Sequence, residues 1–326
     1  MEEDESGVNH TRVGILFDRL RWEEKEISHE FRKRGIVAEL IDSKNIVAEI
    51  GRPKSLSLPS LILQRCLSFH RGFNLAATLE AFGTRVVNSS SVLEICGNKL
   101  LTSQLLAKNG IPTPKTAVSF SLESALKAIE SVGYPCVMKP IIGSWGRQVV
   151  PIRDRETAEA LIEMRDQQAG DSTNSIFYVQ ELVDRPPRDI RCITAAGEII
   201  ASVYRYAPPM SWKTNVALGG RTEHCSLSRE LEEIVIKTSQ AISKDGILGI
   251  DIMESKSSGY VVHEVNGTVE FRGAQQATEK SIAGLIVQSI LAKASDSGSE
   301  MKDGLEEEDA ERRKDVLSAM QQTSTP

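Results

Sequence analysis

Residues 249–266, GIDIMESKSSGYVVHEVN, place acidic side chains inside two otherwise apolar, strand-like runs. Asp251 lies on the first run, and Glu264 and Asn266 lie on the second. Strand residues two apart share a face, so Glu264 and Asn266 point together. The polar turn from Ser255 to Gly259 makes the pair a hairpin, which brings Asp251 alongside them. Unpaired carboxylates are too costly to bury. The hairpin therefore either lies at the surface with its acids ion-paired, or it lines a site that uses them. Oxygen donors without sulfur favour Mg²⁺ held jointly with substrate phosphates. Alternation turns His263 away from Glu264, and it is expected to pack rather than to ligate.

A second segment asks for an anion. VMKPIIGSWGRQV (137–149) ends an apolar run on Lys139 and follows it with Pro140, two glycines and Arg147. It is neither a Walker loop nor a dinucleotide fingerprint, because the lysine precedes the glycines and no Gly-x-Gly-x-x-Gly runs into a helix. A lysine closing a strand must snorkel out or meet an anion. The loop Gly143, Ser144, Trp145, Gly146, Arg147 can approach phosphate oxygens with its backbone N–H groups, although an ordinary hairpin turn would look similar. Lys99, on a helix, is either solvated or a second phosphate contact. Asp189 and Arg191 share one strand face, Arg205 sits between two tyrosines, and Asn215 precedes a Gly219-Gly220 turn. YVQELV (178–183) offers backbone groups for a base edge. These parts converge on nucleotide chemistry, and no serine elbow, His metal pair or catalytic Cys signature competes.

Strand and helix patterns alternate from Val13 to about residue 88, which predicts a small parallel α/β domain. A helix opened by serines 89–91 is expected to carry Asn98 and Lys99 and to close at Gly110. Strand, helix, the glycine loop and another helix follow, then a β-rich stretch with a hairpin at Ala196-Gly197 and a helix over 227–244. A last helix is expected over about 280–293. The fold class is thus α/β and α+β. The expected units are a leader at 1–10, an N-terminal α/β domain at 11–92, a central lobe with the glycine loop at 93–180, a C-terminal lobe with the metal site at 181–294, and a charged tail at 295–326. The five cysteines are widely spaced with no Cys-x-x-Cys, and the acidic N-terminus has no apolar signal core, which points to a reducing, cytoplasmic setting. A formal charge of −6 without a basic block argues against nucleic acid, and no apolar run is long enough for a membrane.

In this order, Lys99, VMKPIIGSWGR, YVQELV, RDIR, DIME and EVN resemble the ATP-grasp carboxylate–amine ligases, and most of all the RimK-like branch acting on amino-group carrier proteins in lysine and arginine biosynthesis. The resemblance spans about Arg12 to Lys293. It implies an ATP-grasp fold in which Lys99, Lys139 and Gly143–Arg147 contact ATP phosphates. Gln180, Glu181, Leu182 and Val183 would form the adenine hinge. Asp189, Arg205 and Asn215 would lie at the nucleotide, the last two also serving catalysis. Asp251, Glu264 and Asn266 would hold Mg²⁺, with two ions expected. The implied partners are a LysW-type carrier, whose C-terminal glutamate carboxylate is activated as an acyl phosphate, and glutamate or α-aminoadipate as the amine. A homo-oligomer is expected. In this branch the dipeptide after EF separates aminoadipate enzymes (Asn then Thr or Ser) from glutamate enzymes (Gly then Phe). Here EFRGA gives Gly273-Ala274, matching neither, and Leu218 stands where relatives often carry arginine. A RimK-like ligase adding glutamate to a ribosomal protein or peptide is the alternative, and a nucleotide-binding regulator without turnover a further one. Arg19, Arg21 and Arg71 are a candidate landing surface for an acidic carrier.

Overall fold

The computed structural model describes residues 12–52, 56–143, 146–166, 175–208 and 221–292. The chain begins with a parallel sheet in the order β2-β1-β3-β4, built from β1 (Val13–Phe17), β2 (Glu39–Asp42), β3 (Leu61–Gln64) and β4 (Arg85–Val87). Between the strands run α1 (Trp22–Lys33) and α2 (Phe69–Ala81). Strand alternation sorts the sheet's side chains. Leu16, Ile62 and Val86 pack with Ala76 and Leu79 of α2, while Val13, Ile15, Leu61 and Leu63 pack with Ile27 and Phe31 of α1 on the other face.

The helix expected from 89 to 110 is two helices, α3 (Ser90–Gly97) and α4 (Lys99–Lys108). Asn98 between them adopts an extended backbone, and its side chain accepts from the N–H groups of Leu100 and Leu101 as the cap of α4. The Lys99 N–H is taken by the Ile141 carbonyl, 2.8 Å away. The break hands Lys99 to the loop after β6 instead of to solvent.

The central lobe is an antiparallel sheet, β5-β8-β6-β7, formed by β5 (Thr116–Ser119), β6 (Cys136–Lys139), β7 (Val150–Ile152) and β8 (Phe177–Glu181). Helices α5 (Leu122–Val132) and α6 (Arg155–Asp166) cover one face. Ala125, Ile129, Cys136, Met138, Ile152, Leu161, Phe177 and Val179 make a core that draws on this lobe alone. The third sheet has the order β11-β10-β9-β12-β13, from β9 (Arg188–Ala195), β10 (Glu198–Tyr206), β11 (Arg221–His224), β12 (Ile247–Ser255) and β13 (Gly259–Asn266). At the β9–β10 turn Ala196 and Gly197 both have positive φ, 50° and 83°, as a two-residue hairpin turn requires. Helix α7 (Arg229–Ile242) lays Leu231, Val235 and Ile242 on one face of this sheet. A short helix absent from the sequence-based expectation, α8 (Arg272–Thr278), follows the hairpin, and α9 covers 282–292.

The first and third sheets share one core. Ile193, Ala195, Ala201 and Val203 of the third meet Val13, Ile15 and Leu63 of the first, with Ile282, Ile286, Val287 and Ile290 of α9 between them. Asn88 staples the junction. It is 3% exposed, accepts from the Ile247 N–H at 2.7 Å, and donates to the carbonyls of Ile247 at 2.8 Å and Gly267 at 2.6 Å. Replacing it by alanine strands two buried backbone groups of Ile247 and the half-buried Gly267 carbonyl, so Asn88→Ala should destabilise the protein by about 2–4 kcal/mol. Denaturant unfolding monitored by tryptophan fluorescence checks this, and an unchanged midpoint would refute the staple.

Candidate functional site

Along one face of β9 the side chains run Ala195, Ile193, Arg191, Asp189, with the first two in the shared core and the last two in an open cleft. Register carries this charged end across the sheet. Asp251 pairs with Arg191 on one side and Glu264 on the other, and Asp189 pairs with Arg205. Arg191 grips Asp251 bidentately, with Nη2 2.8 Å from Oδ2 and Nε on Oδ1. Arg205 forks onto Asp189 at 2.7 and 2.8 Å and also lies 3.0 Å from Asp251 Oδ1. Burial opposes ionisation of Asp251, but the charges of Arg191 and Arg205 more than offset it and hold the carboxyl well below its usual range. Burial likewise opposes charge on Arg205, and Asp251 and Asp189 overcome it, raising that guanidinium's pKa.

Glu264 is 3.3 Å from Lys99 Nζ, which also donates to the Gly143 carbonyl at 2.6 Å. Burial pushes the Glu264 carboxyl up; Lys99, with help from His263 and Lys139, brings it below normal. Asn266 donates from Nδ2 to Asp251 at 3.2 Å, which leaves Oδ1 as the atom it can offer a cation. Among the described residues no group of three or more His, Cys, Asp and Glu could hold a metal unaided. Two ionised carboxylates and an amide oxygen fit a hard cation whose remaining ligands come from a substrate.

The opposite wall comes from the central lobe. Cys136 and Met138 face the lobe's core, so Val137 and Lys139 face the cleft. Lys139 is 8% exposed and donates to Gln180 Oε1 at 2.6 Å. Gln180 donates in turn to Thr116 at 3.0 Å and Tyr178 at 3.1 Å, and the Tyr178 hydroxyl meets Ser103 at 2.7 Å. Burial pulls Lys139 down to about 8, against the pull of Glu264. A lysine held there at a cost, by a neutral amide, suits an anion that arrives later. The N–H groups of Glu181 and Leu182 are spent on the carbonyls of Lys115 and Pro135, at 2.8 and 3.2 Å, so they are not available to a base edge.

His263 departs from expectation. Asp251 pairs with Glu264 but Ile252 pairs with Val262, so β13 bulges by one residue at His263. Val262 and Val265 both face the core, and the two residues between them both turn to the cleft. Burial and the Lys139 charge lower the imidazole to about 4. No sequence signal announces such a bulge.

Two cavities meet at the charged row. The smaller, about 90 Å³, is lined by Lys99, Lys139, Gly143, Gly146, Arg147, residues 180–183, Asp189, Met253 and His263. The larger, about 490 Å³, opens towards the N-terminal sheet and is lined by Arg21, Trp22, Phe69, Arg191, Thr222, Arg272, Gly273 and Ala274. Gly143, Arg205, Asp251 and Glu264 border both. Thr222 donates to the Gly273 carbonyl at 3.1 Å, and a Cβ at Gly273 would come within 3.1 Å of Thr222. Arg21 is not on an outer landing surface. It is held by Glu24 at 2.7 Å and Glu270 at 3.1 Å, with 12% of its side chain exposed, and Arg71 sits 3.6 Å from Asp18. Ser144, Trp145, Asn215 and Leu218 lie outside the described residues.

Residues 96–290 match the RimK-like ATP-grasp domain and residues 13–95 the LysX preATP-grasp domain. The chain belongs to the RimK-like ATP-grasp ligases. It is 37% identical over 281 residues to the glutamate–LysW ligase ArgX of Sulfurisphaera tokodaii, covering 86% of this chain and 98% of that one. It is 34% identical to the α-aminoadipate–LysW ligase LysX of the same organism, covering 85% and 97%. A RimK-domain ATP-grasp protein from Sphaerobacter thermophilus shares the fold with a TM-score of 0.69 at 24% identity, over 86% of this chain and 99% of that one.

If the smaller cavity takes a nucleotide, Lys139 should make its binding pH-dependent. An anion favours the charged amine, so binding above about pH 8 takes up a proton and affinity falls as pH rises. Calorimetry of ADP binding in buffers of different ionisation enthalpy should show that uptake, and Lys139→Met should abolish it. The folded pKa lies below the unfolded value of 10.5, so keeping the amine charged costs stability below about pH 8, and the cost fades as pH rises from there. Lys139→Met should accordingly raise the thermal midpoint at pH 7 while weakening ADP roughly tenfold or more.

Proposed function

We propose that this ligase joins the C-terminal carboxylate of a LysW-type carrier protein to the α-amine of glutamate or α-aminoadipate, with ATP converted to ADP and phosphate. The observation that carries the reading is the meeting of the two cavities at Arg205, Asp251 and Glu264. A nucleotide in the smaller cavity would direct its terminal phosphate at that border, and the acceptor would reach it from the larger one. The relatives named above as glutamate–LysW and α-aminoadipate–LysW ligases support the choice of carrier and amine.

In this reading Lys99, Lys139, Arg147 and the backbone of Gly143 and Gly146 hold the phosphates, with Ser144, Trp145 and Asn215 assigned there from their motifs. Residues 180–183 receive the adenine through groups other than the occupied Glu181 and Leu182 N–H, with Asp189 at the nucleotide. Asp251, Glu264 and Asn266 hold Mg²⁺, two ions being expected, which would neutralise charge on the transferring phosphoryl group. The carrier carboxylate attacks the γ-phosphorus and becomes an acyl phosphate. The amine then attacks the acyl carbon, phosphate leaves, and the amine proton is released. Arg205 stabilises charge on the phosphoryl oxygens at both steps, because Asp189 and Asp251 fix its guanidinium in place. The smaller cavity is tight beside the roughly 300–1,000 Å³ of ordinary small-molecule sites, so the central lobe has to swing out for ATP to enter and back to exclude water.

Gly273 and Ala274 would set the choice of amine. Glycine permits the close approach of α8 to Thr222, and alanine leaves room that a phenylalanine would fill. One methylene is worth only about 1–3 kcal/mol, so acceptance of both amino acids is expected. Intact-mass spectrometry of the carrier after incubation with enzyme, ATP, Mg²⁺ and equimolar glutamate and α-aminoadipate should show both adducts. No adduct would overturn the reading, and glutamate added instead to a ribosomal protein or peptide would favour the other RimK-like activity. Glu264→Gln should cut turnover roughly 100-fold or more with the thermal midpoint little changed, and full activity would refute the metal assignment.

A further inference from the structure

The bulge in β13 turns His263 into the smaller cavity, where both ring nitrogens are buried and neither has a hydrogen-bond partner among the described residues. An imidazole carries a donor and an acceptor, and leaving both unmet in a protein interior is costly. The ring's charged neighbours are Lys139, Asp251, Asp189 and Glu264. It therefore holds polar atoms ready for something the cavity admits. Its place along the strands narrows what that is. On the metal side it adjoins Glu264, and on the other side the strand pair continues to Met253 opposite Val261, with Met253 lining the cavity together with residues 180–183. His263 thus stands between the carboxylates that would hold the metal and the segment that would hold the base. Phosphate oxygens only accept, and Lys99, Lys139 and Arg147 already line the cavity to serve them. A hydroxyl both donates and accepts, and so answers either ring nitrogen.

We propose that His263 is a nucleotide-binding residue that hydrogen-bonds a ribose hydroxyl of the bound nucleotide. The proposal rests on the nucleotide reading of this cavity, and the test separates the two. Calorimetry would measure ADP, 2′-deoxy-ADP and 3′-deoxy-ADP, each with Mg²⁺, on the wild-type full-length chain and on His263→Leu. The wild type should bind ADP roughly tenfold tighter than one of the deoxy analogues. His263→Leu should lose about that factor for ADP and bind the same analogue as weakly as ADP. His263→Asn, which keeps a donor and an acceptor, should recover part of the discrimination. A wild type that binds all three equally would overturn the proposal before any variant is made. So would a leucine variant that keeps the wild-type ratio, because the ring would then touch packing or phosphate and not the sugar. If the wild type binds no ADP at all, the nucleotide reading itself fails. Since leucine removes an unsatisfied polar group, the variant should also melt no lower than the wild type, which guards the comparison against simple misfolding.

Discussion

Asp251 is clamped between Arg191 and Arg205, and the site is organised around that clamp. Two cations on one buried carboxylate would be an expensive arrangement in an ordinary core. Here it fixes both guanidinium groups in the sheet's plane of register, with Asp189 bracing Arg205 from the next position. The clamp also keeps Asp251 ionised, so a metal bound there, as proposed above, would have no proton to displace. Around it, Lys99 pairs with Glu264 and the Asn266 amide donates to Asp251.

The same clamp marks where the third sheet changes character. On β9 two steps of period-two alternation separate Ile193, deep in the shared core, from Asp189 in the cleft. The strand is a paired bar, apolar where it meets the N-terminal sheet and charged where it lines the cleft. Precision in the site therefore comes from backbone pairing and not from loops. The central lobe contrasts with this. Its core includes no residue of the other sheets, and α4 meets it through Lys99 on the Gly143 carbonyl, the Lys99 N–H on the Ile141 carbonyl and Ser103 on Tyr178. A body with its own core is suited to moving as a unit.

Most of the order of strands and helices was legible because alternation and capping residues are local signals, as with Ser121 and Ser228, which cap α5 and α7 in the fold. The gathering of Asp251, Glu264, Asn266 and Lys139 at one cleft was also legible, since charges in apolar strands have few places to go. What escaped depends on pairing between distant segments. The break at Asn98 is set by Ile141, far along the chain, and the turn of His263 by a bulge against β12. Arg21 looked like a surface cation because Glu24 and Glu270, which hold it, come together only in the fold.

The shared core has a consequence for how the chain is made. The inner face of the first sheet, formed by Val13, Ile15, Leu61 and Leu63, is closed by Ile282, Ile286 and Ile290 of α9. During synthesis that face has only α1 to cover it until α9 has emerged, whereas the central lobe carries its entire core between residues 122 and 179. The central lobe can thus finish folding before the first sheet is closed by α9.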